Sequence, residues 1–215
     1  GWGKRSFNWE FTTSVQQEII PRMSVEVQYA RRWYGNIRVM DDLAATPASY
    51  TPVTITAPAD SRLPNGGGYT LTGMSLSPPA APPSYFVTLS NNYGKQTEHF
   101  DGVNITLNAR LQNGLLVQGG LGTGRRARND CEVVDDLPEM LHTFFDDPTR
   151  AFFFAARPAE LCERNDGFRT SVQGLVAYTI PKIDVQLSGT LQNLPGALVE
   201  ANANYGVIPG VAGPG

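Results

Sequence analysis

Residues 8–19, NWEFTTSVQQEI, alternate between apolar and polar side chains almost without interruption. Trp9, Phe11, Thr13, Val15 and Ile19 fall on one side of such a segment, and Asn8, Glu10, Thr12, Ser14, Gln16 and Glu18 on the other. A period of two is the signature of a β-strand, because successive Cβ atoms of an extended chain point to opposite faces. It leaves open what the apolar face touches. In a soluble sandwich that face packs on a second sheet, whereas in an outer-membrane barrel it meets lipid.

The same pattern recurs in pairs. Across IIPRMS a second strand over residues 24–36 sets Val25, Val27, Tyr29 and Trp33 against Glu26, Gln28, Ala30 and Arg32, with the tight turn at Pro21-Arg22. Proline's fixed φ suits the corner of such a turn. A second pair sets Val103, Ile105, Leu107, Ala109 and Leu111 against Asn104, Thr106, Asn108 and Arg110. It turns at Asn113-Gly114, the strongest short-range hairpin signal in the chain. A third pair sets Phe168, Thr170, Val172, Val176, Tyr178 and Ile180 against Arg169, Ser171, Gln173 and Thr179. After a turn at Pro181-Lys182, Ile183, Val185, Leu187 and Leu191 alternate with Asp184, Gln186, Ser188, Thr190 and Gln192. The prediction is an all-β chain, an antiparallel meander of about six strands over residues 1–195, with residues 196–215 as a Gly/Pro-rich loop or tail.

The connections between hairpins are long, about 40 residues each, and such loops are uncommon unless functional. Short turns at one end and long loops at the other match the asymmetry of outer-membrane barrels. Aromatic residues also gather towards strand ends on the apolar face: Phe7, Trp9, Phe11, Trp33, Phe100 and Phe168 near the long loops, and Tyr178 near a short turn. That distribution resembles an interfacial girdle, although aromatics are good strand residues in any sheet. Lysine is scarce, with three residues against fourteen arginines, where soluble sheets use lysine to guard their edges. Six strands cannot close a bacterial membrane barrel, and an open edge in lipid strands backbone polar groups. The meander is therefore expected either to belong to a larger barrel or not to be a barrel.

Several function classes have little support. A net charge of −3 gives no reason to expect nucleic acid. No run of about 18 apolar residues marks a transmembrane helix, and no signal peptide is evident. The chain opens at Gly1, which reads as a processed chain or part of a longer one. His99 and His142 are the only histidines, neither lies near a cysteine or nucleophile motif, and no enzyme is expected. The glycines of GGLGTGRR lead into no helix and lack a following Lys-Ser/Thr, so they read as bends in a wall rather than a phosphate loop. Asn104-Ile105-Thr106, a formal glycosylation sequon, sits mid-strand. No cofactor and no metal site are expected. The acidic pairs Asp41-Asp42, Asp135-Asp136 and Asp146-Asp147 read as solvated loop charge, with calcium as the functional alternative for NDCEVVDD. Cys131 and Cys162, both in polar loop-like sequence, read as a disulfide in an oxidising compartment, with free thiols as the alternative. Arg31, Arg32, Arg125, Arg126 and Arg128 sit at the loop ends of strands, either as ordinary rim charges or as contacts for anionic lipopolysaccharide or an acidic ligand.

Four segments taken in order carry a resemblance: NWEF…VQQEIIPRMSVEVQYARRWYGN, ITAPADSRLPNGGGY, NNYGKQTEHFDGVNITLNARLQNGLLVQGGLGTGR and YTIPKIDVQLSGTLQNLPG. From about Trp9 to about Gly196 the chain resembles one region of TonB-dependent receptor-like bacterial outer-membrane proteins of the type that carries a carboxypeptidase-regulatory-like domain. The resemblance implies a barrel segment near, but short of, the C-terminal strands. It implies location in the bacterial outer membrane with the long loops extracellular. It also implies outer-membrane lipid, the remaining barrel strands and plug of a longer chain, and an extracellular ligand as partners, and nutrient binding and uptake as the role. The regulatory-like domain, TonB box, plug and closing strands are not in this sequence. Two alternatives stand beside it: a surface structural or adhesion β-protein that binds glycans or proteins through its loops, and a soluble β-sandwich.

Overall fold

The computed structural model describes residues 4–76, 82, 84–111, 114–141 and 158–196. Six long strands, β1 (Phe7–Ile20), β2 (Met23–Gly35), β7 (Thr97–Arg110), β8 (Leu115–Asn129), β10 (Arg169–Ile180) and β11 (Val185–Asn193), form one antiparallel sheet in that order. Each strand lies beside its neighbour in the sequence of long strands, so the fold is an all-β meander. A short strand, β9 (Glu163–Asn165), adds to the loop end of β8.

The turns behave as their residues dictate. Ile20 pairs with Met23, Arg110 with Leu116 and Ile180 with Val185, so all three short connections lie at one end of the sheet. Arg22, at φ 71°, takes the left-handed corner after Pro21, and its N–H donates to the Glu18 carboxylate at 2.8 Å. Gly114, at φ 77°, occupies the same region without a Cβ penalty, and its carbonyl accepts from Thr179 N–H. Asn113 lies outside the described residues. The third connection is longer than expected. It spans residues 181–184, with Lys182 and Asp184 at positive φ, so Ile183 belongs to the turn and not to the strand.

Both long connections run at the opposite end, and the first is not structureless. It contains a two-stranded sheet of β3 (Arg38–Asp42) with β6 (Tyr85–Leu89) and another of β4 (Tyr50–Thr56) with β5 (Thr70–Leu76). The second contains a helix of one and a half turns, α1 (Cys131–Asp136), and 3-10 turns at Pro138–Leu141 and Ala159–Leu161. Cys131 and Cys162 are bonded, with Cα atoms 4.8 Å apart, and the bond closes that second connection across 31 positions. Residues 142–157, with His142 and the Asp146-Asp147 pair, and residues 197–215 of the tail lie outside the described set.

The core of the molecule is not where the long strands are. Among the described residues, Val39, Tyr50, Val53, Ala57, Leu76, Val133, Val134, Leu137 and Leu141 are buried, all in the loop-end assembly, while the sheet contributes only Ala109 and Ala177. Val39, Val133 and Leu137 form one cluster with Tyr93 and Met140 packed on it. The six-stranded sheet is a single layer. On its apolar face Trp9 is 70% exposed, Val15 73% and Leu187 60%, and no second sheet covers them among the described residues.

Strand registers fix which side chains share a face and correct one expectation. Phe100 pairs with Arg32 on one side and Arg126 on the other, which places it on the polar face rather than in the apolar aromatic group. The reason is local. Gly102 and Gly124 are directly opposed, and the Phe100 ring lies over both, so that a Cβ on Gly102 would stand 2.8 Å from the ring. An aromatic ring that covers glycines shields their backbone and supplies the packing they lack. Phe7 covers Gly35 in the same way on the apolar face. Gly102→Ala is expected to destabilise by about 1 kcal/mol through overpacking. In the Phe100→Ala background the same substitution should cost close to nothing, a coupling that a double-mutant cycle in chemical denaturation reads directly.

Candidate functional site

Two regions concentrate polar chemistry. At the loop end of the long sheet, five arginines stand where the sequence places them, but the registers divide them. Arg31 and Arg125 lie on the apolar face, whereas Arg32, Arg126 and Arg128 lie on the polar face. They do not converge on one point.

On the apolar face the centre is Asp101. Tyr29 Oη donates to its Oδ1 at 2.8 Å, Arg31 reaches the same oxygen at 3.3 Å, and His99 Nε2 stands 3.6 Å from Oδ2. Arg31 also lies 5.2 Å from the Trp33 ring centre, and Arg125 lies 5.3 Å from that of Phe168. A guanidinium over an aromatic face is attracted by the ring quadrupole and keeps its charge near solvent. On the polar face Arg32 pairs with Glu10, Arg126 with Glu98 and Arg128 with Asp130, the last at 2.7 Å. Arg126 also lies over Tyr34. Four of the five arginines thus hold a carboxylate of this chain, and the fifth holds an aromatic ring.

Below this rim the polar face carries cross-strand hydrogen bonds between neutral side chains. Asn104 Nδ2 donates to Gln28 Oε1 at 3.1 Å, Gln118 to Asn108 at 3.3 Å and Gln16 to Ser24 at 3.3 Å. Near the short turns this face is hollow. A concavity of about 870 Å³ is bounded there by Gln16, Glu18, Ser24, Asn108, Arg110 and Gln118. Its lining combines these amide and hydroxyl groups with one acid, Glu18, two bases, Arg22 and Arg110, and the apolar Met23, Ala109 and Leu116.

The second region is the seam between the two long connections. Glu132, Glu139 and Glu160, all from the disulfide-closed connection, each accept backbone N–H groups of the other. Glu132 takes Lys95 N–H at 2.9 Å, Glu139 takes Asp42 N–H at 3.3 Å, and Glu160 takes Thr72 N–H on both oxygens at 3.0 Å. Buried or half-buried N–H groups need partners, and a carboxylate supplies a strong one. Gly94 makes the first contact possible, since a Cβ there would stand 2.8 Å from the Glu132 backbone. Asp41 and Asp42, expected to be solvated loop charge, instead enter this seam. Asp42 is buried and accepts from Ala44 N–H and Ser84 N–H, and Asp41 accepts from the Tyr93 hydroxyl. Asp135 and Asp136 remain exposed on α1. Among the described residues no group of three or more His, Cys, Asp or Glu side chains is arranged to hold a metal ion.

The cysteine pair and the rim arginines were legible from residue type and position. The three glutamates were not, because a side chain that caps a distant backbone N–H leaves no spacing signal in the sequence. No protein-family model, no curated protein and no solved structure matches the chain.

The two rim clusters should differ in their effect on stability. The Asp101 side chain is 14% exposed and serves three neighbours, whereas Glu10 is 44% exposed and serves one. Asp101→Ala is expected to cost about 2 kcal/mol, since it leaves polar partners unsatisfied. Glu10→Ala should cost under about 1 kcal/mol, as exposed pairs do. Denaturant titration of the two variants checks the order.

Proposed function

We propose that the six long strands are part of the wall of a transmembrane β-barrel in a TonB-dependent receptor-like outer-membrane protein. In this proposal the long connections face the cell exterior, and the role is the binding and uptake of a nutrient at the cell surface. The observation that carries it is the uncovered apolar face of a one-layer sheet. Soluble monomers rarely expose contiguous apolar patches beyond a few hundred Å². Here Val15, Val27, Ile105, Leu121, Val172, Val176, Leu187 and Leu191 are all exposed on one face across six strands.

Three further features agree with that environment. On β2 the apolar-face positions run from Met23 at the short turns to Trp33 at the loop end, about eleven residues, which is the length a tilted strand needs to cross a bilayer. Trp9 and Trp33 are paired at the upper limit of the band, beside Arg31, where an interfacial girdle would stand. The outer edges of β1 and β11 pair with nothing among the described residues, and in lipid such edges require further strands. No helix of the described residues is long and apolar enough to cross a membrane, and in this proposal the strands are the crossing elements. The receptor assignment itself rests on the sequence resemblance, and nutrient uptake follows from it as what that family does. The cell-surface adhesion alternative draws on a different observation, the cross-linked and internally cored loop assembly, which presents a stable surface to other molecules.

A lipid-facing sheet predicts detergent dependence. The purified chain should be monodisperse in detergent or liposomes and should aggregate on dilution into plain buffer; a monodisperse chain in buffer by light scattering would remove both membrane roles. For the parent protein in intact cells, ligand uptake that stops when the inner-membrane proton gradient is collapsed supports transport. Surface attachment without gradient-dependent uptake favours adhesion.

A further inference from the structure

The registers confine the charge on the apolar face to one place. Arg31, Asp101 and Arg125 stand side by side on β2, β7 and β8, with Phe11 of β1 next in the same row. One row nearer the long connections, Trp9, Trp33 and His99 stand in line on β1, β2 and β7. Among the side chains that alternate onto this face along the six long strands, Arg31, His99, Asp101 and Arg125 are the only Asp, Glu, Lys, Arg or His. All four lie at the loop end. The half of the face nearer the short turns presents Met23, Val25, Ala109, Val117, Ile180 and Val185, and no charge.

Two guanidiniums outnumber one carboxylate here, so this corner of an otherwise uncharged face has a surplus of positive charge. Asp101 Oδ1 already serves Tyr29 Oη and Arg31. Arg125 has no carboxylate partner among the described residues, and its guanidinium lies over the Phe168 ring. Arg31 lies over the Trp33 ring, and its side chain remains 38% exposed. The rings hold both guanidiniums at the level of the aromatic band without neutralising them. Arg32, Arg126 and Arg128 are on the other face and pair with carboxylates there.

We propose that Arg31 and Arg125 bind the phosphate of an anionic lipid headgroup in the leaflet next to the long connections. This inference rests on the reading of the apolar face as lipid-facing and names one lipid partner for it. The planar fork of a guanidinium matches phosphate oxygens, and its weak hydration suits it to a site beside aromatic rings. Arg31 and Arg125 are two strand spacings apart, roughly 10 Å between backbones, so their long side chains can converge on one phosphate from either side. Asp101 is a positioning residue, which holds Arg31 in place through Oδ1. The site belongs to one leaflet, because the short-turn half of the face offers a phosphate no cation.

Quenching of Trp33 by nitroxide-labelled lipids tests this, with Trp2 and Trp9 replaced by Phe and the full chain in phosphatidylcholine liposomes. Phosphatidic acid or phosphatidylcholine, labelled high on the acyl chain, is titrated as the quencher. Phosphatidic acid should quench at about fivefold lower mole fraction, the preference that one surplus basic side chain gives at an anionic surface. Arg31→Gln and Arg125→Gln should each bring the two lipids towards parity. Arg32→Gln and Arg126→Gln, on the other face, should leave the preference intact. Equal quenching by both lipids in the chain with its arginines intact overturns the site alone, and so does a preference that survives both apolar-face substitutions. If Arg31→Gln fails to insert, Arg125→Gln decides in the same way. A preference abolished by inorganic phosphate, but not by chloride of equal ionic strength, means a site for a soluble anion and overturns the lipid assignment. If neither lipid quenches Trp33, no lipid meets this face, and the lipid-facing reading falls together with the site.

Discussion

Among the described residues the long sheet is one layer thick and its apolar face is uncovered, and much of the structure follows from that constraint. Hydrogen bonding between β1, β2, β7, β8, β10 and β11 satisfies the backbone inside the ladder, but among the described residues it leaves two open edges and two uncovered faces. In water, burial of apolar area at roughly 25 cal/mol per Å² is the main force that opposes chain entropy. The long strands gain little of it here, since Ala109 and Ala177 are their only buried apolar residues. Their apolar side chains need a surrounding phase or further protein to make the ladder worthwhile. The polar face has a different character, with amide and hydroxyl groups already bonded across strands and a hollow near the short turns.

The loop end solves its problem internally. Val39 of β3 packs with Val133 and Leu137 in an apolar cluster, and the Cys131–Cys162 bond limits how far the second connection can stray in the unfolded chain. Glutamates then satisfy backbone donors across the seam. Within the described residues the protein is thus a water-adapted head with a conventional core, attached to a sheet without one. Both proposed roles assign binding to the head and treat the sheet as a scaffold.

The strength of the alternation determined how much could be read beforehand. β1, β2, β7, β10 and β11 were legible because their side chains repeat with period two, and the turns because Pro21, Gly114 and Pro181 have defined backbone preferences. Phe100 was misplaced because an aromatic residue beside Gly102 looks like a girdle residue until the register shows it lying over two glycines. Ile183 was placed in a strand because its apolar character outweighed the turn signal of its neighbours. β3, β4, β5 and β6 gave no clear pattern. They are short, β4 contains Pro52, and their partners lie far away or across a Gly-rich segment. Of the candidate site, the disulfide was visible from two cysteines in loop-like sequence. The distribution of the rim arginines over both faces depended on register, and the inter-loop carboxylates depended on tertiary approach.

The measurement that most directly tests what the apolar face touches is a nitroxide scan along Val103–Ala109 of β7 in liposomes, with relaxation by oxygen and by a water-soluble nickel chelate. Labels at positions 103, 105 and 107 should be relaxed strongly by oxygen, which concentrates in lipid. Labels at 104, 106 and 108 should respond to the nickel complex, with the two responses alternating at a period of two. Equal nickel accessibility on both sets would contradict a lipid-facing sheet, and protection of the odd set from both reagents would mean that protein covers it.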